Sequence, residues 1–349
     1  MSNHAGSLLS DGASHVIDPQ VRVLLERWAQ EPQPAYASLA PAEARRLYRE
    51  SRLRLQGEPV QVAAVESLTA DGAAQSASQP ASPPIGLRLY RPFSQGESPL
   101  KAPVAGPLPC LVYFHGGGWT LGDLDSHDDL CRALAHAGQC AVAAVDYRLA
   151  PENRFPAAVD DAIAATRWIA AHGREMGIDT QRLAVGGDSA GGTLAAAVAL
   201  VLRGGDIPLA LQLLFYPITD MAHELPSHFR LAEGYALTRA SLLWFRGNYL
   251  RSEADIADWR ASPLRAADLA GLPPASIITA GFDPLLDEGR AYAERLHAAG
   301  VPLRYECFNG MIHGFLLMAG ELAASRHAIH RAGQSLREAF TGRFNALAR

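Results

Sequence analysis

Cysteine, charge and long apolar runs are all scarce in this sequence. The four cysteines, Cys110, Cys131, Cys140 and Cys307, are too few and too scattered for a disulfide framework or a zinc site. Three of them stand in apolar, strand-like runs, where a free thiol packs as a small hydrophobe. No uninterrupted apolar segment reaches the roughly 18 residues that a membrane-crossing helix needs. The opening MSNHAGSLLSDGASHVIDPQ lacks the basic-then-apolar order of a signal peptide. Charged residues make up only 19%, and Lys+Arg 31 against Asp+Glu 36 leaves a net charge of -5. That balance gives no electrostatic reason to expect nucleic acid. The 31 glycines and 23 prolines follow no collagen-like period. The expectation is a reduced, cytoplasmic protein with neither membrane nor nucleic acid as partner.

Apolar residues, by contrast, are plentiful: 48% of 349 positions are hydrophobic. A chain of that balance folds, because it has apolar surface enough to offset its ordering entropy. At this length it should bury roughly three quarters of its unfolded surface. Val21, Leu24, Leu25 and Trp28 recur at helical spacing, and PAEARRLYRE starts a second helix with Pro41 in its first turn, so residues 17–55 read as two helices. A weaker strand signal follows from Val60. The Ala/Ser/Pro-rich segments 70–84 and 94–107 read as loops.

From residue 85 onward, strand-like runs at 85–92, 110–116, 140–147, 182–189, 209–217, 276–283 and 303–309 alternate with helical patterns at 128–137, 156–172, 191–203, 285–299 and 320–341. Nearly continuous apolar strands separated by helices predict an α/β fold with a mostly parallel central sheet and helices on both faces. The span 219–262 breaks the alternation. It carries Trp244, Phe245 and Tyr249 at helical spacing and reads as a helical insertion over the sheet edge.

Within that frame Gly187-Asp188-Ser189-Ala190-Gly191 matches G-x-S-x-G. The pentapeptide alone is weak, but RLAVGGD ends a strand and GGTLAAAVALVL begins a helix. A serine on such a sharp turn holds its Oγ above the sheet. The helix N-terminus beneath it favours developing negative charge. Ser189 is therefore the candidate nucleophile. His115-Gly116-Gly117-Gly118-Trp119 directly follows another strand, and consecutive glycines expose the backbone N–H groups that an oxyanion hole requires. Gly117 and Gly118, with the N–H of Ala190, are the expected donors. A phosphate-binding reading is disfavoured, since neither a GKS/GKT nor a G-x-G-x-x-G pattern is present. His115 and Trp119 shape this loop rather than react.

A nucleophilic serine needs a base, and in a parallel sheet the order is Ser, then Asp or Glu, then His. Of the 12 histidines, His313 follows the last strand in NGMIHGF, on a loop that would return over Ser189. His223 and His228 lie in the insertion, His327 and His330 inside the last helix, and His297 on a surface-like helix. His313 is the expected general base. For the acid, Asp283 ends SIITAGF and begins DPLLD, with Asp287 one turn onward and Asp220 after the preceding strand as rivals. Asp188 is expected to point away from Oγ and brace the turn. The acidic stretch GDLDSHDDL (122–130) lacks EF-hand spacing and reads as a solvated helix-capping turn, not a metal site.

Taken together, HGGGW (115–119), DYRLAPE (146–152), GDSAGG (187–192), DPLLD (283–287) and HGF (313–315) resemble the hormone-sensitive-lipase-like branch of the α/β-hydrolases, the bacterial family IV carboxylesterases. The likeness spans residues 85–349, and the helices at 17–55 suit the family's N-terminal cap. The resemblance implies a serine esterase for short- to medium-chain esters. Its triad would be Ser189, Asp283 and His313, and its oxyanion hole Gly117, Gly118 and Ala190. It also implies cap helices within 1–55, a core in two parts (56–218 and 263–349) and a cap insertion at 219–262. Trp119, with Trp244 and Phe245 on the insertion, are the candidate substrate-lining side chains. No cofactor or metal is called for. The partner is a small ester, and the oligomeric state, a homodimer included, is left open. A non-catalytic small-molecule receptor of the same fold, an interfacial lipase and an amidase are the competing readings.

Overall fold

The computed structural model describes residues 16–31, 34–72, 82–94 and 106–345. The expected loops at 70–84 and 94–107 lie for the most part outside the described residues. Among those described, eight strands form one sheet: β1 (Ala64–Ala70), β2 (Ile85–Arg91), β3 (Leu108–Phe114), β4 (Ala141–Asp146), β5 (Ile178–Asp188), β6 (Leu209–Phe215), β7 (Ala275–Phe282) and β8 (Leu303–Ile312). Their order is β1-β2-β4-β3-β5-β6-β7-β8. β1 pairs antiparallel with β2, and β2 with β4; every other pairing is parallel.

Alternation along the strands divides the core in two. Cys110, Val112 and Phe114 of β3 face one side, with Ala141, Ala143 and Val145 of β4. There they meet α4 (Ala157–His172), α5 (Ala190–Leu202) and α8 (Leu286–Ala298) through side chains such as Ile169, Leu194 and Leu296. Leu111 and Tyr113 of β3 and Val142 of β4 face the other side. Their partners there include Leu134 of α3 (Asp128–Gly138) and Ile329 and Leu336 of α9 (Ala323–Phe340). A period of two with both faces apolar gives the continuous hydrophobic runs of a sheet covered on each side. Each fully buried Leu, Ile or Val contributes about 1.5–3 kcal/mol. Cys110, Cys131 and Cys140 are free thiols buried in these layers, with Cys131 on α3 as its helical pattern predicts. Among the described residues no helix is long and apolar enough to cross a membrane.

Strand ends depart from the sequence reading in both directions. The first strand begins at Ala64 instead of Val60. β5 starts four residues early, at Ile178, and β8 runs on to Ile312. The long β8 follows from a register shift against β7 between Ala280 and Phe282, which lets pairing resume at Phe282 and Ile312. His313 therefore stands directly on the end of a strand.

Two helical segments lie outside the strand–helix alternation, though Val21 and Leu24 of α1 join the second core layer. α1 (Pro19–Gln30) opens on Asp18, whose side chain accepts from Gln20 N–H, with Pro19 in the first turn. α2 (Pro41–Gln56) also starts on a proline. Arg45 fastens α2 to the core: its Nε donates to the Thr120 carbonyl at 2.8 Å and its Nη2 to that of Ala150 at 2.8 Å, with Glu152 also in reach at 2.6 Å. The 219–262 span contributes the short α6 (Pro226–Arg230) and α7 (Arg239–Tyr249), the latter capped by Thr238. Ala44 and Tyr48 of α2 and Phe245 of α7 close into one apolar cluster over Leu121.

The acidic stretch is not a solvated turn. Asp129 is buried and accepts from Val60 N–H at 2.8 Å, and Asp128 accepts from the Tyr90 hydroxyl at 2.8 Å. Asp123 pairs with Arg49 of α2 at 2.6 Å. These carboxylates dock β2 and α2 onto the start of α3. Among the described residues no group of three or more His, Cys, Asp or Glu side chains converges as a metal site.

Candidate active site

Four strand ends converge at the carboxyl edge of the parallel sheet, where ligands of open α/β sheets bind. The turn from β5 to α5 carries Ser189 at φ 54°, ψ −120°, a strained conformation for a residue with a Cβ. The turn persists because its surroundings over-determine it. Ser189 N–H donates to the Phe215 carbonyl at 2.8 Å. Gly191 lets α5 press onto β3, and a Cβ there would meet the Phe114 carbonyl oxygen at 1.9 Å.

His313 brings its Nε2 to 3.0 Å from Ser189 Oγ and its Nδ1 to 2.7 Å from Asp283 Oδ2. Asp283, fully buried just past β7, is fixed by Leu285 N–H donating to its Oδ1 at 2.9 Å. Both rivals for the acid are engaged elsewhere. Asp287 accepts from Ser227 N–H at 2.8 Å in the first turn of α6, and Asp220 holds His223 Nδ1 at 2.8 Å.

The glycine loop after β3 arches beside Ser189. Its own hydrogen bonds use carbonyls: Thr120 and Leu121 N–H donate to Gly117 O, and the Thr120 hydroxyl donates to Gly118 O. Among the described residues neither Gly117 N–H nor Gly118 N–H donates to a backbone acceptor. Gly118, at φ 59°, is also sterically required, because a Cβ there would meet the Phe245 ring at 2.2 Å. Ala190 N–H is the first of α5 and has no intrahelical acceptor.

Asp188 braces this loop from below. Its Oδ1 accepts from Tyr113 OH at 2.7 Å and from Gly116 N–H at 3.0 Å, and His127 Nε2 stands 3.4 Å from its Oδ2. Burial alone would raise the Asp188 carboxyl. The charge and hydrogen bond of His127 and the Tyr113 hydroxyl outweigh burial and hold it below the usual carboxylate range. His115 faces inward, stacked on Tyr147 at 4.3 Å, and burial with the nearby His127 lowers its pKa to about 4. It shapes the loop as a neutral ring. His127, Tyr113 and Glu288 were not legible as site residues. His127 sits in the acidic stretch, and Glu288 adjoins the DPLLD motif without belonging to it.

Ser189 and His313 open into a hollow of about 650 Å³, partly open to solvent and walled also by Tyr48 and Arg52 of α2 and by Leu237, Leu242 and Phe245. A second hollow of about 470 Å³ shares Ile218, Leu242 and Phe245 as its partition and reaches Trp119, His228 and Glu288. Of the three side chains expected to line the substrate space, Phe245 stands in the wall beside Ser189. Trp119 is buried, stacked on Tyr249 at 4.1 Å, and faces the second hollow. Trp244 lines neither and packs inside the cap cluster. Trp244 packs against Phe245, ring centroids 5.1 Å apart, on the side away from Ser189.

A strained serine elbow at the carboxyl edge of a mostly parallel sheet, with a histidine, a buried aspartate and a glycine loop around it, defines a hydrolase of the α/β class. Residues 111–317 match the family described as alpha/beta hydrolase fold. The chain is 44% identical over 262 residues to the esterase LipI of Mycobacterium tuberculosis, covering 74% of this chain and 79% of that one. It is 40% identical over 286 residues to an ethyl acetate hydrolase of Pseudomonas putida, covering 80% and 85%. An ester hydrolase from the metagenome of Lake Arreo, solved with a bipyridine phosphonate derivative, superposes with a TM-score of 0.85 at 40% identity, covering 93% and 100%. The chain belongs to the hormone-sensitive-lipase-like branch of the α/β-hydrolase fold family, a branch of carboxylic ester hydrolases, and is an enzyme of that class.

Proposed function

We propose that the protein hydrolyses short- to medium-chain carboxylic esters through an acyl-enzyme on Ser189, without a cofactor. The observation that carries this reading is the unbroken relay from Ser189 Oγ through His313 to Asp283, at 3.0 Å and 2.7 Å, beside the glycine loop. Ser189 Oγ attacks the ester carbonyl while its proton passes to His313 Nε2. Asp283 accepts from Nδ1–H, holds that tautomer and stabilises the imidazolium. The oxyanion takes hydrogen bonds from Gly117, Gly118 and Ala190, each donor contributing roughly 2.7–4 kcal/mol. The dipole of α5 adds to that field. His313 then protonates the departing alcohol and activates the water that clears the acyl-enzyme.

In the same reading α1, α2 and the 219–262 span act as a cap, with Phe245 the wall that ends the acyl space. The test is hydrolysis of p-nitrophenyl esters from C2 to C16 with rapid mixing. We expect a p-nitrophenol burst of one equivalent and a kcat/KM maximum among the shorter chains. A rate that climbs steadily to C16 would replace this with a lipase reading. Absence of turnover at every length would support a receptor.

A further inference from the structure

We infer that Arg52 is an anion-recognising group of the substrate hollow, so that the esters this site favours carry a carboxylate. The inference deepens the esterase reading and rests on it.

The three arginines before it on α2 are all paired: Arg45 with Glu152, Arg46 with Glu43 and Glu50, Arg49 with Asp123. Arg52 is not. Among the described residues no carboxylate lies within ion-pair distance of it, and its Nε and Nη1 are shielded from solvent with no hydrogen-bond partner. Leaving such donors unmet is costly, and native structures rarely do so without a reason.

The guanidinium lies over the Tyr48 ring, 4.8 Å from its centroid. Stacking fixes its plane without using its N–H groups. It lines the same hollow as Ser189 and His313, with Nη1 only 3.7 Å from where a Cβ on Gly314 would stand, beside the loop that carries His313. The other charged side chain in that wall is Asp188, whose carboxyl is committed to Tyr113, Gly116 and His127. The hollow therefore presents one uncompensated cation near the reacting atoms. A guanidinium offers a planar fork of donors that pairs bidentately with a carboxylate or a phosphate, and the single charge of a carboxylate matches the one uncompensated cation. A neutral alkyl chain in the same place would leave the fork unmet.

The test compares kcat/KM for matched anionic and neutral esters. Monoethyl succinate, adipate and sebacate against ethyl alkanoates of equal length place the carboxylate on the acid part. Omega-acetoxyalkanoates against alkyl acetates place it on the alcohol part. In wild type we expect the anionic ester to be favoured about tenfold or more at some length in one series, and R52Q to lower that ratio about 10- to 100-fold, the range of a charge-assisted hydrogen bond. R52K, which keeps the charge and loses the fork, is expected to lower it several-fold, and serves alone if R52Q does not fold. A wild-type ratio of one or less throughout both series would overturn the inference. So would a ratio unchanged by either variant, which would leave Arg52 as packing for Tyr48. No hydrolysis of either the neutral or the anionic esters would remove the esterase reading, and this inference with it.

Discussion

Replacing Asp283 by asparagine changes one oxygen for an amide nitrogen and leaves the shape of the site intact. The side chain is pinned on its Oδ1 face by Leu285 N–H at 2.9 Å, so the asparagine carbonyl is expected to keep that bond. Its NH₂ then faces His313 Nδ1, where Asp283 Oδ2 stands at 2.7 Å in the native protein. A donor opposite Nδ1 forces the imidazole to accept there and to carry its proton on Nε2. Nε2, 3.0 Å from Ser189 Oγ, can then no longer take the serine proton. The expected loss in kcat is about 10⁴, close to 5 kcal/mol of transition-state stabilisation. Asp287→Asn and Asp220→Asn alter hydrogen bonds to Ser227 and His223, neither of which touches His313 or Ser189, and are expected to cost less than about fivefold. The assay is kcat on p-nitrophenyl butyrate for all three variants, with near-UV circular dichroism to show that each is folded. Should either Asp287→Asn or Asp220→Asn prove more damaging than Asp283→Asn, the relay described here is not the one the enzyme uses.

Ser189→Ala is expected to fold normally and to lose about 10⁶ in kcat, because Oγ enters the chemistry and not the core; near-normal ester hydrolysis by the purified variant would take Ser189 out of the mechanism. Phe245→Ala removes the partition between the two hollows and is expected to move the preferred acyl length upward, at about 0.8 kcal/mol for each methylene newly accommodated. Trp244→Ala, packed within the cap, should leave that preference in place while lowering Tm. Identical chain-length profiles for wild type and Phe245→Ala would show that the ring does not bound the acyl space. Burial pushes the Glu288 carboxyl well above the usual range, Thr219 N–H partly offsetting this. The folded protein thus holds a proton that the unfolded chain releases near its ordinary pKa of 4.5. The stability this group contributes is whole below that pH and declines as pH rises, by up to about 1.4 kcal/mol per unit, until the folded pKa is passed. Glu288→Gln should flatten the decline, its Tm gaining on wild type from pH 5 to pH 9; parallel Tm curves would count against a neutral Glu288.

The sheet was legible because its strands are buried on both faces and its helices fill the intervals, so composition and period agree at every step. Strand ends were less legible. The extension of β8 to Ile312 depends on a bulge against β7, and a bulge is set by the partner strand, not by the residues that form it. Ser189, Asp283 and His313 could be singled out because the chain order and the strand ends restrict where such residues can meet. Arg52 and Glu288 could not. One is an arginine on a helix whose three preceding arginines are paired, and the other directly follows the closing aspartate of the DPLLD motif. What distinguishes them is a buried polar atom left without a hydrogen bond, Nε and Nη1 of Arg52 and Oε2 of Glu288, and that is a property of three-dimensional packing alone. Trp244 illustrates the opposite case: aromatic spacing on the insertion made it a candidate, and packing against the cap cluster is where the fold places it.

The grip of Arg45 on the Thr120 and Ala150 carbonyls bears on which parts of such an enzyme can be exchanged. Both acceptors are main-chain atoms that any residue supplies, so this half of the clamp tolerates sequence change on the core side and depends on the backbone path alone. The wall that carries α7, by contrast, meets the site through the Phe245 ring laid against Gly118. In chimaeras between relatives, α2 should therefore transplant readily wherever it keeps arginines at positions 45 and 49 and the core keeps Asp123. The 219–262 segment should transplant only together with the glycine loop it covers.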